Sequence, residues 1–274
     1  MTLETLSKPS IEQQLLFNKE KLRRGPPAVI KIGGIKDVAG VINSLAFLQK
    51  EIGMKFVLVH GGGSEIDEEL QQKGIIPEKI NGLRVTDKET LKIVVSVLDR
   101  INGEMVKALR QRGVPAVAYD STSRMIIATK KDDRLGFVGE VSFVYTGKIV
   151  GDLQKGNIPV VSPIGVLEGN KGQFLNINGD ESAGAIAGVL GSNLVLVTKV
   201  PGVLDSSGKL IKRFDPIRFR RMQERGVIIG GMIPKLEAIS TVVASGARGI
   251  ICQASDFKYA FSEYPRGTVS MPEQ

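Results

Sequence analysis

The chain reads as an α/β protein, a mostly parallel sheet sandwiched between helices. Three observations predict this. Short runs rich in valine, isoleucine and leucine alternate with longer stretches whose apolar residues recur at helical spacing, the signature of repeated strand–helix units. Glycine-rich loops, Lys31-Ile32-Gly33-Gly34 and His60-Gly61-Gly62-Gly63, follow the first two of those runs. Of 274 residues 42% are hydrophobic and 32 are glycine, while aromatics make up 5% and tryptophan is absent, a balance suited to parallel strands covered by helices.

The elements follow in order. Residues 11–22 place Leu15, Leu16, Phe17 and Leu22 in a helix-like stretch that Arg24-Gly25-Pro26-Pro27 ends before a first strand over 28–32. Asp37 can cap a helix with Val38, Val41, Ile42, Leu45 and Leu48 on one face, closed by Gly53. A strand over 55–60 leads into a helix over 64–73. Thr86 and Glu89 have capping-box spacing and open the longest helix, which runs to 112. Strands are expected over 116–119, 125–129, 139–145 and 158–162, with a helix ending at Lys155-Gly156 before the last of them. A small-residue helix over 181–190, a strand over 194–198, helices over 216–225 and 233–245 and a strand over 249–252 complete the pattern. No linker of disordered composition and no internal repeat interrupts it. The expected division is an extension over 1–25, one lobe over 26–172 and a second over 173–274, with a cleft between the lobes.

Composition removes several function classes. The single cysteine, Cys252, sits in the apolar run Gly249-Ile250-Ile251-Cys252, which excludes an internal disulfide framework and suits a buried strand residue better than a nucleophile. His60 is the only histidine, which excludes a histidine-rich zinc site. No apolar run is long enough to span a bilayer, and the N-terminus lacks the apolar core of a secretory signal, so a cytoplasmic location without membrane contact is expected. The net charge of +8 favours anionic partners. The basic residues are nevertheless scattered and lack interleaved aromatics, so nucleic-acid binding is not expected.

In an open parallel sheet, ligands bind outside the carboxyl ends of the strands. Glycine there lets backbone N–H groups approach an anion at a helix N-terminus. Two such loops on neighbouring strands, with Lys31 in the first, point to a phosphate handled from two sides. Together with Asn81-Gly82-Leu83-Arg84-Val85-Thr86-Asp87, Asn176-Ile177-Asn178-Gly179-Asp180 and Gly230-Gly231-Met232-Ile233-Pro234-Lys235, these loops resemble the amino-acid kinase family, and within it the kinases acting on N-acetyl-L-glutamate. The motifs occur in order and span nearly the whole chain.

The resemblance implies a three-layer αβα sandwich whose first lobe binds the acyl amino acid and whose second binds ATP. The implied reaction phosphorylates the side-chain carboxylate of N-acetyl-L-glutamate to an acyl phosphate, in arginine biosynthesis. Lys31 and Lys235 would contact the transferring phosphoryl from opposite sides, with Asp180 orienting both. Gly33, Gly34 and Gly62 would donate backbone N–H groups to it. Arg84 would grip a substrate carboxylate, Asn176 would hydrogen-bond the acyl amino acid, and Gly62 and Gly63 would hold its reactive end. Lys199, Gly202, Gly231 and Met232 fall on the nucleotide side, and Mg²⁺ would ride on the ATP phosphates without a protein metal site. Elementary chemistry agrees: a side-chain carboxylate with a pKa of about 4.3 is already ionised and needs no base, only relief from the repulsion between two anions held in line.

Two roles remain open for Asp180, helix capping and lysine orientation; His60 is expected to shape its loop. Lys199 stands where most kinases of this type carry an aspartate that helps seat the nucleotide, and Gly179 replaces the usual alanine, which should loosen the helix entry. A homodimer through the first lobe is expected, with a hexamer linked by the N-terminal arm as the alternative. Two rival functions are a kinase of a carrier-linked aminoadipate or glutamate, and a non-catalytic amino-acid sensor. The sensor reading is motivated by Lys199 and opposed by the two retained lysines.

Overall fold

The computed structural model describes residues 9–213 and 215–271; residues 1–8 of the expected extension lie outside the described residues, as do 214 and 272–274. The helix expected over 11–22 is two helices, α1 (Ile11–Phe17) and α2 (Lys19–Arg24). The break is at Asn18, whose side-chain amide donates to the Gln14 carbonyl. Ser10 and Gln13 form a reciprocal capping box at the start of α1. Leu15 is fully buried in the core and Glu12 pairs with Lys258, whereas Phe17 is 91% exposed.

β1 (Ala28–Ile32) leads to α3 (Val38–Phe47), where Asp37 accepts the Gly40 N–H as N-cap. The helix widens into a π-type turn over Leu48–Ile52 before Gly53 ends it. β2 (Phe56–His60) runs into α4 (Gly63–Gln72). A two-residue-per-strand hairpin, β3 (Lys79–Ile80) with β4 (Leu83–Arg84), precedes α5 (Lys88–Arg110). The N-cap of α5 is Asp87 and not the expected Thr86. The Asp87 carboxylate accepts the Thr90 N–H, while the Thr86 hydroxyl is spent on the Arg84 carbonyl. Then come β5 (Ala116–Tyr119), β6 (Ile126–Lys130), β7 (Val138–Val144), α6 (Gly147–Gln154), β8 (Ile158–Val161), β9 (Ile164–Leu167) and β10 (Asn170–Ile177). The chain closes with α7 (Gly179–Leu190), β11 (Leu194–Thr198), α8 (Pro216–Glu224), α9 (Met232–Ala244), β12 (Gly249–Gln253) and β13 (Thr268–Ser270).

Seven strands form one sheet in the order β13-β12-β11-β1-β2-β8-β5, parallel except at the β12–β13 edge. From β1 the chain builds outward on one side through β2 and β8, then returns to build the other side from β11. β1 and β11 therefore flank a topological switch point, where open α/β sheets present their binding crevice. Alternation along β1 sets the layers. Ala28, Ile30 and Ile32 pack into the cluster containing α3 and α5, while Val29 packs into the cluster containing α7 and α9. Lys31 shares the face of Val29 and so emerges towards α7.

Two strands expected in the sheet, over 125–129 and 139–145, instead join β9 and β10 in a small closed barrel of β6, β7, β9 and β10. The lobe boundary expected between 172 and 173 falls inside β10, and the chain leaves the barrel only after Ile177. In the barrel β6 pairs antiparallel with β7 and parallel with β9, so both of its edges are satisfied there and neither is free for the sheet.

Helices α7 and α9 meet at Gly184, where a Cβ would lie 2.9 Å from both the Cα and the Cβ of Ala238. The two helices that carry Asp180 and Lys235 thus approach to backbone contact. Gly184→Val is expected to cost about 1–3 kcal/mol of stability through overpacking. Urea unfolding measures it, and an unchanged midpoint would show that the contact is not tight.

Candidate active site

Three elements deliver the charged centre. Lys31 leaves the end of β1 on the α7 face, Asp180 sits in the first turn of α7, and Lys235 lies in the first turn of α9. Lys31 Nζ stands 2.9 Å from Asp180 Oδ1, and Lys235 Nζ donates to Asp180 Oδ2 at 2.7 Å. Burial of Asp180 works to raise its pKa, but the two lysines outweigh that and hold the carboxyl below its ordinary value. Two cations sharing one carboxylate leave a net charge of +1 in a buried position, which makes the group an anion receptor.

Of the two roles open for Asp180, capping belongs to another residue. Asn178 Oδ1 accepts the N–H groups of Asp180 and Glu181 at 2.8 and 3.2 Å, which leaves the Asp180 carboxylate to the lysines. Glycines provide the space. A Cβ at Gly33 would come within 2.5 Å of Lys31 Nζ, and one at Gly179 within 3.2 Å of Lys31 Cε. Gly179, expected to loosen the helix entry, instead gives clearance to the lysine beside it.

The second glycine loop is held from behind by His60. Its Nδ1 lies 2.9 Å from the Gly61 carbonyl, and its Nε2 lies 3.0 Å from Ser162 Oγ and 3.3 Å from Asn102 Nδ2. A carbonyl only accepts, so Nδ1 carries the proton. Burial drives the His60 pKa down to about 4, and the neutral ring serves as a brace for the loop. Gly62 and Gly63 begin α4, whose first N–H groups have no intrahelical partner. Together with Lys31, Arg84, Asn176 and Asp180 they line a cleft of about 210 Å³.

Arg84 is buried at the cleft wall with part of its fork already engaged. Nη1 donates to Asp67 Oδ1 at 2.5 Å, and Nη2 donates to the Gly63 carbonyl at 3.0 Å. Asn176 Nδ2 donates to Thr86 Oγ1 at 3.0 Å. Asp67 and Lys79 were not anticipated. Asp67 is one of several acidic residues on α4, and nothing in their spacing singles it out.

On the other side of the switch point, Lys199 is exposed at the end of β11, and its Cε lies 3.6 Å from where a Gly34 side chain would begin. It has no ion-pair partner among the described residues. Gly231 is the N-cap of α9 and Met232 its first residue, partly packed in the core. Gly202 is different: it is buried, and a side chain there would meet Thr268 Oγ1 at 2.5 Å, so the structure gives it a packing role against β13. Among the described residues no group of three or more His, Cys, Asp or Glu side chains could hold a metal ion.

The family model of the amino acid kinase family matches residues 26–253. The chain belongs to the amino acid kinase family. It is 38% identical over 238 residues to the acetylglutamate kinase of Methanopyrus kandleri, covering 80% of this chain and 92% of that one. It is 40% identical over 220 residues to the acetylglutamate kinase of Geobacillus kaustophilus, covering 78% and 84% respectively. Among solved structures, smu.665 from Streptococcus mutans superposes with a TM-score of 0.78 at 29% identity, over 90% of this chain and 98% of that one. Giardia carbamate kinase shares the fold, with a TM-score of 0.67 at 17% identity over 91% and 99% of the two chains.

His60 and Asp180 each contribute to the pH dependence of stability. Below His60's ordinary 6.5, the unfolded chain takes up a proton that the native ring refuses until about pH 4. Stability therefore falls as pH falls through that window, by about 3 kcal/mol at most from this group. Asp180's contribution is complete above the ordinary 3.8 and is lost only as pH falls further, through its depressed native value. Urea midpoints from pH 7.5 to 4 should show a shallower acid slope for His60→Gln than for the unmodified chain; parallel slopes would contradict the assignment.

Proposed function

We propose that the chain transfers the γ-phosphoryl group of ATP to the side-chain carboxylate of N-acetyl-L-glutamate, giving N-acetyl-L-glutamyl 5-phosphate and ADP in arginine biosynthesis. The observation that carries the reading is the Lys31–Asp180–Lys235 triad at the switch point, whose buried Lys31 and Asp180 line one cleft with the α4 N-terminus. The relatives named acetylglutamate kinase support the same choice of substrate.

In the reaction a carboxylate oxygen attacks phosphorus as the β–γ bridging bond breaks and ADP leaves. No proton moves, so no general base is required. The obstacle is repulsion between two anions, and the protein's task is to neutralise charge at fixed positions. Lys31 and Lys235 take opposite sides of the transferring phosphoryl. Asp180 keeps the two ammonium groups close together despite their mutual repulsion, so the receptor is formed before substrate arrives. Backbone N–H groups of Gly33, Gly34 and Gly62 complete the cradle. Arg84 and Asn176 hold the acyl amino acid, with Gly63 at its reactive end. Lys199, Gly34, Gly231 and Met232 belong to the nucleotide side, where Lys199 meets a phosphate.

Mg²⁺ would enter with the nucleotide and shield its phosphates. The described residues offer it no ligand cluster, and both oxygens of Asp180 are taken by lysines. In this reading the first lobe serves mainly the acyl amino acid, with Lys31, Gly33 and Gly34 reaching the phosphoryl group, and the second lobe serves ATP. A homodimer is part of the proposal, to be tested by light scattering against the 29.5 kDa chain mass.

A hydroxamate assay with ATP and a panel of free and carrier-linked carboxylates tests the reaction; pure protein that forms no acyl phosphate from N-acetyl-L-glutamate overturns it. Lys31→Ala and Lys235→Ala are each expected to lower kcat about 100- to 1,000-fold, with a much smaller effect on the KM of the acyl amino acid. An intact kcat in either variant removes that lysine from the reaction centre.

A further inference from the structure

The hairpin that carries Arg84 is too small to hold itself in place. β3 and β4 pair over two residues each, and so short a ladder is marginal in water. Backbone bonds from Thr86 to Leu135 and Phe137 hold its far end, and a carboxylate on the neighbouring helix ties both of its strands to α4. Asp67, one turn into α4 from Gly63, binds one cation from each strand of the hairpin: Oδ1 takes Arg84 Nη1 at 2.5 Å, and Oδ2 takes Lys79 Nζ at 2.7 Å. Partial burial opposes ionisation of Asp67, but hydrogen bonds from Lys79 and Arg84 keep its carboxyl below the ordinary value.

We propose that Asp67 is a positioning residue for the acyl-amino-acid site, clamping Arg84 and the hairpin to the helix whose N-terminus forms the cleft. The proposal rests on the reading of Arg84 as the residue that binds a substrate carboxylate. The clamp sets the depth of the guanidinium. Two of its five N–H donors are spent inward, on Asp67 and on the Gly63 carbonyl, which leaves three for a ligand. It also sets the charge. Arg84 and Lys79 contribute +2 and Asp67 contributes −1, so the hairpin presents a net +1. N-acetyl-L-glutamate carries two carboxylates; the triad receives the reacting one, and a net +1 matches the other. The hairpin reaches the nucleotide side as well, since a Cβ at its tip, Gly82, would lie 3.4 Å from Gly230 C and Gly231 N, beside the start of α9.

Asp67 touches neither the reacting atoms nor the triad, so its removal should act on substrate binding and not on the chemical step. Steady-state kinetics with both substrates varied, on full-length Asp67→Ala, Asp67→Asn, Arg84→Ala and the Asp67→Ala/Arg84→Ala double variant, tests this. Asp67→Ala is expected to raise the KM for N-acetyl-L-glutamate at least tenfold while kcat stays within threefold and the KM for ATP within twofold. Asp67→Asn, which keeps an acceptor for Arg84, should recover part of the loss. In the Arg84→Ala background the Asp67 change should add less than threefold, because the group it positions is gone. Melting temperatures of the four variants separate misfolding from mispositioning.

The proposal is overturned if Asp67→Ala leaves that KM unchanged while Arg84→Ala raises it. It is equally overturned if the two effects multiply in the double variant, or if kcat and both KM values deteriorate together. An unchanged KM in Arg84→Ala would instead overturn the assignment of Arg84, and the clamp's purpose with it.

Discussion

One carboxylate held by two lysines is the constraint around which the rest of the molecule is arranged. Two ammonium groups a few ångströms apart repel strongly in a buried site, and a lone buried aspartate would be driven to take up a proton. Each instability cancels the other. The result is a compact positive centre assembled from β1, α7 and α9, elements separated by most of the chain, and it exists only if all three are in place.

That requirement explains features that otherwise look incidental. Gly184 lets α7 and α9 touch, which brings the first turns of both helices within reach of the same point. Gly33 and Gly179 clear the path of the Lys31 side chain. Asn178 relieves Asp180 of capping duty, so that the carboxylate is not divided between backbone and lysine. His60, braced by Ser162 and Asn102, stiffens the loop that faces the triad across the cleft. Packing and the charged centre rest here on the same contacts.

Much of this architecture was legible in local patterns. The strands at 116–119 and 194–198 and the ends of several helices follow from hydrophobic period and from glycine and proline punctuation. The glycine loops and their lysine pointed to an anion because two such loops follow neighbouring parallel strands, where backbone N–H groups can approach one ligand from two sides. The failures were those of non-local structure. The N-terminal helix is interrupted at Asn18, whose side-chain amide and backbone N–H share the Gln14 carbonyl, and Thr86 lost the N-cap position to Asp87 because its hydroxyl had another partner. The barrel was missed because closure depends on pairings such as β6 with β9, which periodicity does not encode. Gly202 was placed on the nucleotide side by position, and its packing against Thr268 became visible only in the folded chain.

The amino-acid sequence by itself determined the order and type of most helices and of the parallel-sheet strands, the family, and the residue types of the charged centre, because those depend on period, turn chemistry and motif. Tertiary structure alone decided which oxygen of Asp180 each lysine takes, that Asp67 holds the Arg84 fork, and that four strands form a barrel apart from the sheet. These outcomes depend on distances between residues far apart in the chain, and such distances are fixed only when the packed core selects one arrangement.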